Sequence, residues 1–370
     1  MLVLPNVTLT DPIDAEIAAV VSPDDARVVR LRDTHRNFEI FLSKFSDAFG
    51  VQRRPSVLIL RRDSPDPFRS VEALAGLRDA VSLSLIPYNR ARELNTPRGH
   101  RIAFSNTLSF YPWMIDRNYE HLLMTSFGHL GIHDVNQFSG QSSPEIFPIT
   151  VGDRDFDKPL LESLLRRWAR RYKRARPEWR DLALFRSLNM ANQACRLPAV
   201  IETTLYDVGR LLALWVSAFE ILAHPGSRDS GLSVVYGLLD GLDFQIERST
   251  HRRYMTYQGR RAQRSRQSLA HWLYGEIYGA RNDFLHGNPV TQARLKPRGA
   301  QGNLFQYAAP LYRLALTGFL ELKFARDMPA LEDAEAFGAY VSDHYWFYSY
   351  QRTFEEALLS SRSRDRVERL

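Results

Sequence analysis

Arg281 and His286 form the pair of side chains in this chain that is best suited to phosphodiester chemistry. A histidine with a pKa near about 6.5 accepts or releases a proton at neutral pH. An arginine keeps its charge and presents a planar fork that matches phosphate oxygens. Attack of a hydroxyl group on a phosphodiester needs both properties, so the pair marks a candidate site for phosphoryl-transfer chemistry.

The surroundings of this pair distinguish it from other arginine–histidine pairs. Similar spacings occur at Arg30/His35, Arg264/His271 and Arg266/His271. Only near Arg281 does a tyrosine, Tyr278, precede the arginine by three residues while a polar residue, Asn282, follows it. Gly287 comes directly after His286, where a Gly-Asn-Pro run ends a predicted helix. Context therefore favours this pair over the others.

The spacing of the pair predicts a site built from two chains. Five helical residues correspond to about 140° of rotation and about 7.5 Å of rise, so one straight helix does not aim both side chains at one atom. In a dimer, Arg281 of one chain could approach His286 of the other. Asn282 lies on the face of His286 and is predicted to hold its imidazole in one tautomer. The alternative is that His286 is a polar helix terminus favoured by the helix dipole.

A stripe of mostly polar residues follows one face of the helix predicted over 202–223. Its members recur at steps of three and four: Thr203, Tyr206, Arg210, Ala213, Ser217, Glu220 and His224. Apolar neighbours surround Glu220, which is predicted to be semi-buried and to need a partner, either Arg281 or Arg210. Glu220 thus joins Arg281, His286 and Asn282 as the predicted catalytic set. A structural ion pair or a solvated stripe is the alternative.

The basic charge is concentrated in the C-terminal part of the chain. Residues 1–155 have a net charge of −2, and residues 156–370 have a net charge of +9. This asymmetry indicates a polyanionic partner for the second part, and the alternative is solubility combined with a genome bias toward arginine. Arginines mixed with aromatic residues occupy 166–174 and 248–266, for which a solvated face or loop is the alternative. The predicted RNA-binding residues are Arg260, Arg261, Arg264, Tyr278 and Arg210.

Signatures of metals and nucleotide cofactors are absent from the sequence. His129 and His133 would supply part of a metal site, but the glycines around them argue against the helix that such a site needs. Cys195 is the only cysteine, which excludes an internal disulfide and a thiolate cluster. We predict a protein that uses neither a metal nor a cofactor.

Two domains are predicted from the length of 370 residues and from the change of pattern along the chain. Residues 1–155 suggest an α+β domain, and residues 156–370 suggest an all-α helical bundle with a C-terminal helical extension, so the whole is mainly α. The predicted N-terminal elements are strands at 57–60, 81–87 and 101–111 and helices at 25–49 and 70–79. The predicted C-terminal helices begin at Lys158 and then cover 181–195, 202–223, 230–243, 265–286, 304–326 and about 330–360.

The apolar segments argue against a membrane protein. The longest near-apolar run, residues 211–223, is too short to span a bilayer and contains Glu220. The first residues lack the basic and apolar regions of a secretory signal. With a single cysteine, these features predict a cytoplasmic protein.

The motif resembles that of the HEPN superfamily, specifically its Apea-like branch. The signature of that group is close to Tyr-x-x-Arg-polar-x-x-x-His-Gly after a long apolar helix, which matches Tyr278 to Gly287 and the helix ending at 214–225. The resemblance covers about 155–330. One subgroup has a modified tyrosine two residues after the histidine, and Asn288 at that position disfavours it.

This resemblance implies a helical bundle that forms a homodimer. It implies a metal-independent endoribonuclease in which Arg281 and His286 of both protomers line one composite cleft. It also implies a role as a toxin or antiviral defence effector, with an antitoxin or a regulatory protein as a further partner. A separate hypothesis makes residues 1–155 a sensor that regulates the nuclease. The alternative is a non-catalytic HEPN-like module that binds RNA or protein.

Overall fold

A computed structural model describes most of the chain. The described residues are 2–96, 104–108, 114–124, 140–141, 145–147, 150–196, 204–224, 226, 231–250, 254–257, 264–297, 300 and 302–361. Residues 124, 140, 141, 255, 257 and 264 are described by their backbone alone. The histidines at 129 and 133 and the arginines at 260 and 261 lie outside the described residues.

The described chain is mainly helical. Its α-helices are Ala26–Thr34, Arg36–Leu42, Val71–Asn95, Lys158–Lys173, Trp179–Ala194, Leu205–Ala223, Leu232–Asp240, Glu247–Thr250, Leu269–Leu285, Gln292–Leu295, Leu304–Leu320 and Ala334–Leu359. We call Leu269–Leu285 the motif helix and Leu205–Ala223 the Glu220 helix. Among the described helices, none combines the length and the apolar character that crossing a bilayer requires.

The strands form small antiparallel sheets. They are β1 (Leu2–Leu4), β2 (Ile13–Ala15), β3 (Ala18–Val21), β4 (Ser56–Leu60), β5 (Met114–Ile115), β6 (Leu122–Met124), β7 (Gly140–Gln141), β8 (Tyr254–Tyr257) and β9 (Arg264–Gln267). The first sheet has the order β1-β4-β3-β2, with Val20 opposite Leu58. A second sheet has the order β5-β6-β7, and β8 pairs with β9 alone.

The chain divides into two compact units whose residues interleave along the sequence. The first comprises Met1–Ser82, Phe104–Phe156 and Leu164–Pro177, and the second comprises Leu83–Ala103, Asp157–Ser163 and Glu178–Leu370. One boundary therefore lies beside residue 155. The division into independent domains at that residue stays a prediction.

The core of the first unit joins the β1–β4 sheet to the two short helices that follow β3. Its buried side chains are Val3, Ala19, Val21, Val28, Phe38, Phe41, Leu42, Phe45, Val57 and Leu122. The strand predicted at 57–60 is confirmed as part of β4. The helical character predicted over 25–49 is confirmed in part, as two helices that meet at His35.

The strand predicted at 81–87 is wrong, and the strand predicted at 101–111 is wrong over residues 105–108, while residues 101–103 and 109–111 lie outside the described part. Residues 81–87 lie inside the helix Val71–Asn95. The alternation of apolar and small polar residues suggested a strand with one exposed face. In the structure Ser82 and Ser84 are buried together with their apolar neighbours, because the helix is covered on all sides there. Pro87 interrupts the helical hydrogen bonds, and the Ser84 carbonyl accepts a hydrogen bond from the Asp157 N–H at 2.8 Å. In the segment 101–111, residues 105–108 form a turn of 3-10 helix.

The helices predicted after residue 157 are confirmed, with two larger differences at their ends. The helix predicted over 304–326 ends at Leu320, where Glu321 adopts a left-handed backbone conformation. The helix predicted over 265–286 begins only at Leu269. Residues 264–267 form β9 instead, because Ser268 caps the helix and its side chain accepts the N–H of His271. The charged residues before this cap belong to the hairpin of β8 and β9.

A close approach joins the motif helix to the Glu220 helix. The Phe219 ring packs against Tyr274 and Tyr312, at centroid distances of 5.0 and 5.3 Å. Farther along, Phe284 lies against Gly209 of the Glu220 helix. A Cβ atom at position 209 would lie 2.4 to 2.9 Å from three atoms of this ring. The glycine therefore permits the contact that fixes the C-terminal end of the motif helix.

Replacing Gly209 with alanine is expected to destabilise the fold. The whole Phe284 ring must move, and overpacking of this kind costs about 1–3 kcal/mol, against about 0.5–1 kcal/mol gained in helix propensity. The matched control is Gly237→Ala, since Gly237 is also helical and has nothing within 4 Å of its would-be Cβ. Denaturant unfolding should show that the free energy of unfolding falls for Gly209→Ala and rises by about 0.5–1 kcal/mol for Gly237→Ala. Equal effects would contradict the packing.

Candidate functional site

The end of the motif helix places His286 on the surface. His286 is the C-cap residue, and Gly287 follows with φ +71°, a left-handed conformation that glycine adopts without strain. The Asn288 N–H then donates to the Asp283 carbonyl at 3.0 Å. The Gly-Asn-Pro run thus ends the helix where the sequence predicted, with the His286 side chain exposed.

The Arg281 guanidinium is held by three neighbours. Nη1 donates to Asn282 Oδ1 at 2.8 Å, and Nη2 donates to Glu220 Oε1 at 3.3 Å. The guanidinium carbon lies 4.7 Å from the centre of the Tyr278 ring, a cation–π contact. Both side chains of the ion pair are largely covered, at 18% exposure for Arg281 and 24% for Glu220. The arginine is therefore oriented in the free chain.

The positive charge of Arg281 offsets only part of the cost of burying the Glu220 carboxylate. Burial raises the pKa of its carboxyl above the ordinary value, and the charge of Arg281 opposes that rise. Beside the pair, the hydroxyl of Tyr274 is buried and has no hydrogen-bond partner among the described residues. Burial is the largest cause of the raised pKa of Tyr274, and Glu220 contributes to it. Removal of the carboxylate would leave Arg281 without its principal anchor.

The raised pKa of Glu220 predicts a pH-dependent stability difference. The folded protein binds the proton of the Glu220 carboxyl more tightly than the unfolded chain does. Protonation therefore stabilises the fold fully below the unfolded pKa of about 4.3, and this contribution to stability is lost as the pH rises through the folded pKa. The Glu220→Gln variant has no carboxyl at this position, so its stability does not decrease in this way as the pH rises. We expect its melting temperature, relative to that of the wild type, to rise between about pH 4 and pH 7. A difference that falls over this range would show that the ion pair outweighs burial.

His286 and Arg281 have different surroundings within one chain. The guanidinium lies over Tyr278, one turn toward the helix N-terminus, whereas His286 is at the C-cap. In the described part of the chain, the imidazole of His286 makes no hydrogen bond, and its backbone N–H donates to the Asn282 carbonyl at 2.9 Å. Within the described residues, no hydrogen bond or ion pair joins the two groups of one chain.

The side chain of Asn282 contacts Arg281. Its Oδ1 accepts the Nη1 hydrogen bond, and in the described residues it makes no contact with the imidazole of His286. Its observed role within one chain is therefore to orient Arg281. The predicted hydrogen bond from Asn282 to the imidazole of His286 in the same chain is not made in the described structure.

The predicted RNA-binding residues are placed only in part. Arg210 is exposed on the Glu220 helix and pairs with Asp207 at 3.7 Å, so Arg281 is the partner of Glu220. Tyr278 lies beneath Arg281. Arg264 belongs to β9, where it pairs with residue 257 of β8, and its side chain is not described. Arginines 260 and 261 fall between these strands, outside the described residues.

An ion cluster on the other side of the motif helix was not predicted. Arg294 bonds to Asp283 at 2.7 Å and to Glu276 at 3.2 Å. Gly279 lies between these carboxylates, and a Cβ there would be 2.6 Å from Arg294 Nη2. Asp283 also accepts from the Asn288 side chain at 3.2 Å. The cluster ties the segment after His286 to the helix, and the seven-residue spacing of Glu276 and Asp283 was the signal for it.

Metal ligands do not group together among the described residues, where no three side chains of histidine, cysteine, aspartate or glutamate form a cluster. The predicted fragment at His129 and His133 lies outside these residues. That the protein works without a metal stays a prediction.

Comparisons with protein-family models, with curated proteins and with solved structures find no match to this chain. The resemblance to the HEPN superfamily rests on the motif residues and on the apolar Glu220 helix.

Proposed function

We propose that the chain is a metal-independent endoribonuclease of the HEPN type that acts as a homodimer. The observation that carries the proposal is an oriented Arg281 five residues before an exposed His286, whose imidazole makes no hydrogen bond in the described structure. In a two-fold dimer, each arginine can approach the histidine of the other chain. The helical second unit supplies the rigid element that this arrangement requires.

The proposed reaction is cleavage by the neighbouring 2′-OH. His286 acts as the general base that removes the 2′-OH proton, or as the general acid that protonates the departing 5′ oxygen. The 2′ oxygen bonds to phosphorus as the bond to the 5′ oxygen breaks, leaving a 2′,3′-cyclic phosphate and a 5′-OH end. Arg281 stabilises the charge on the phosphoryl oxygens during this exchange. Asn282 and Glu220 position Arg281.

Binding of RNA is assigned to the basic and aromatic residues near the motif. Exposed Arg210 and the hairpin of β8 and β9 offer phosphate contacts and precede or flank the motif helix. The hairpin includes Arg264, and arginines 260 and 261 belong to the segment between its strands. Tyr278 supports Arg281 with one face of its ring. A toxin or defence role, with an antitoxin or regulatory partner, follows from the resemblance alone.

The reaction products test this function. We expect the protein to cut a single-stranded RNA in the presence of EDTA and to leave 2′,3′-cyclic phosphate and 5′-OH ends, because the two proposed groups need no metal ion. A substrate with a 2′-deoxy nucleotide at the cut site is the control and should remain intact. Cleavage that requires magnesium, or that leaves a 5′-phosphate, would contradict the proposal.

A non-catalytic RNA- or protein-binding module is the second candidate. The contacts of Arg281 with Glu220, Asn282 and Tyr278 favour it, because a guanidinium held in this way also serves as a structural ion pair. Tight RNA binding without any cleavage by the wild type would support this candidate over the enzyme.

A further inference from the structure

The first compact unit contains a cleft that the ribonuclease proposal does not use. It has a volume of about 310 Å³, within the range of small-molecule sites. Three arginines line it, Arg32, Arg53 and Arg54, together with one acidic residue, Glu39, two polar residues and the apolar residues Pro23, Leu42 and Pro55. All of these residues lie between 23 and 55, in the helices and connections around the β1–β4 sheet.

Arg53 is the best positioned of the three arginines. Its Nη2 donates to Asp47 Oδ2 at 3.0 Å, and its side chain is 19% exposed. Asp47 is itself fixed, because it accepts the backbone N–H groups of Phe49 and Val51. The Nε atom of Arg53 is buried and has no hydrogen-bond partner in the described structure. A ligand in the cleft cannot reach this solvent-inaccessible atom, so only the outer guanidinium nitrogens of Arg53 are available to bind one.

The other two arginines form exposed ion pairs. Arg32 bonds through Nε to Glu39, and Arg54 bonds through Nη2 to Asp24. Exposed pairs of this kind contribute at most about 1 kcal/mol, so a stronger acceptor can compete for the guanidinium groups. A phosphate group is such an acceptor, because its oxygens match the fork of arginine and carry more charge than one carboxylate.

We propose that this cleft binds a small phosphate ester with an organic body. The phosphate would be held by Arg32, Arg53 and Arg54, and the body would lie on the apolar surface of Pro23, Leu42 and Pro55. The site belongs to the first unit alone and does not depend on the ribonuclease assignment. It gives the N-terminal part of the chain a ligand of defined chemistry.

Calorimetric titration of the full-length protein tests this site, with inorganic phosphate and adenosine 5′-monophosphate as probes. We expect saturable binding of one equivalent, with the nucleotide bound more tightly than phosphate because its body meets the apolar wall. Arg32→Ala/Arg54→Ala should weaken binding at least about tenfold, as expected for loss of charge-assisted hydrogen bonds. The charge-preserving Arg32→Lys/Arg54→Lys variant should also bind more weakly, since lysine lacks the fork.

The matched control is Arg30→Ala/Arg62→Ala, which removes two exposed arginines outside the cleft lining. It should bind the probes as the wild type does. If the two double alanine variants lose the same amount of affinity for the probes, binding depends only on the overall positive charge of the surface, and the proposal is overturned. So would the absence of saturable binding, equal affinity for both probes, or loss of binding in Arg281→Ala, which would move the nucleotide to the other unit.

Discussion

His286→Ala is expected to abolish RNA cleavage while leaving the fold intact. Loss of a general acid or base lowers a rate by about 10²–10⁴-fold. The imidazole is exposed at the helix end, and its packing contributes little to the core. The measurement is the single-turnover rate at saturating RNA, accompanied by the melting temperature of the variant.

The matched control for this variant is His35→Ala. Arg30 and His35 have the same spacing as Arg281 and His286, and His35 is also exposed next to a helix end. Its replacement should leave the cleavage rate unchanged. A His286→Ala protein that still cuts at the rate of the wild type would remove the histidine from the reaction.

Arg281→Ala is the second variant with a large expected effect. The guanidinium is proposed to stabilise charge that develops on the phosphoryl oxygens, and removing one such donor lowers kcat by about 10²–10³-fold. The variant also leaves Glu220 half-buried without its partner, so a lower melting temperature is expected as well. The two effects are separated by measuring cleavage well below the melting temperature.

Arg281→Lys separates charge from geometry. Lysine keeps the charge but cannot bridge Glu220 and Asn282 with a planar fork while lying over Tyr278. We expect its cleavage rate to remain at least about tenfold below that of the wild type. Full activity with lysine would show that a point charge at this position suffices.

Local signals in the sequence predicted much of the candidate site. The glycine after His286 and the proline two residues later marked the helix end, because both act on the backbone directly. The pairing of Glu220 with an arginine followed from a carboxylate among apolar neighbours, although Arg281 and Arg210 were both candidates. The antiparallel packing of the two helices decided between them.

Tertiary burial explains what the sequence did not predict. Residues 81–87 alternate like a strand, but Ser82 and Ser84 are buried within a helix that is covered on all sides. The cluster of Arg294 with Glu276 and Asp283 depends on the turn after residue 287, which brings Arg294 back to the helix. The alternation of 81–87 and the seven-residue spacing of Glu276 and Asp283 do not by themselves reveal these tertiary contacts.

A pair of purified heterodimers tests the composite site most directly. The first contains one Arg281→Ala chain and one His286→Ala chain, so one of its two sites keeps both wild-type groups, each from a different chain. The second contains one wild-type chain and one chain with both substitutions, so every composite site lacks one group. Two differently tagged chains are co-expressed, purified by both tags and assayed for RNA cleavage. A composite site predicts about half of wild-type activity for the first heterodimer and none for the second. Activity in the second and none in the first would contradict the account.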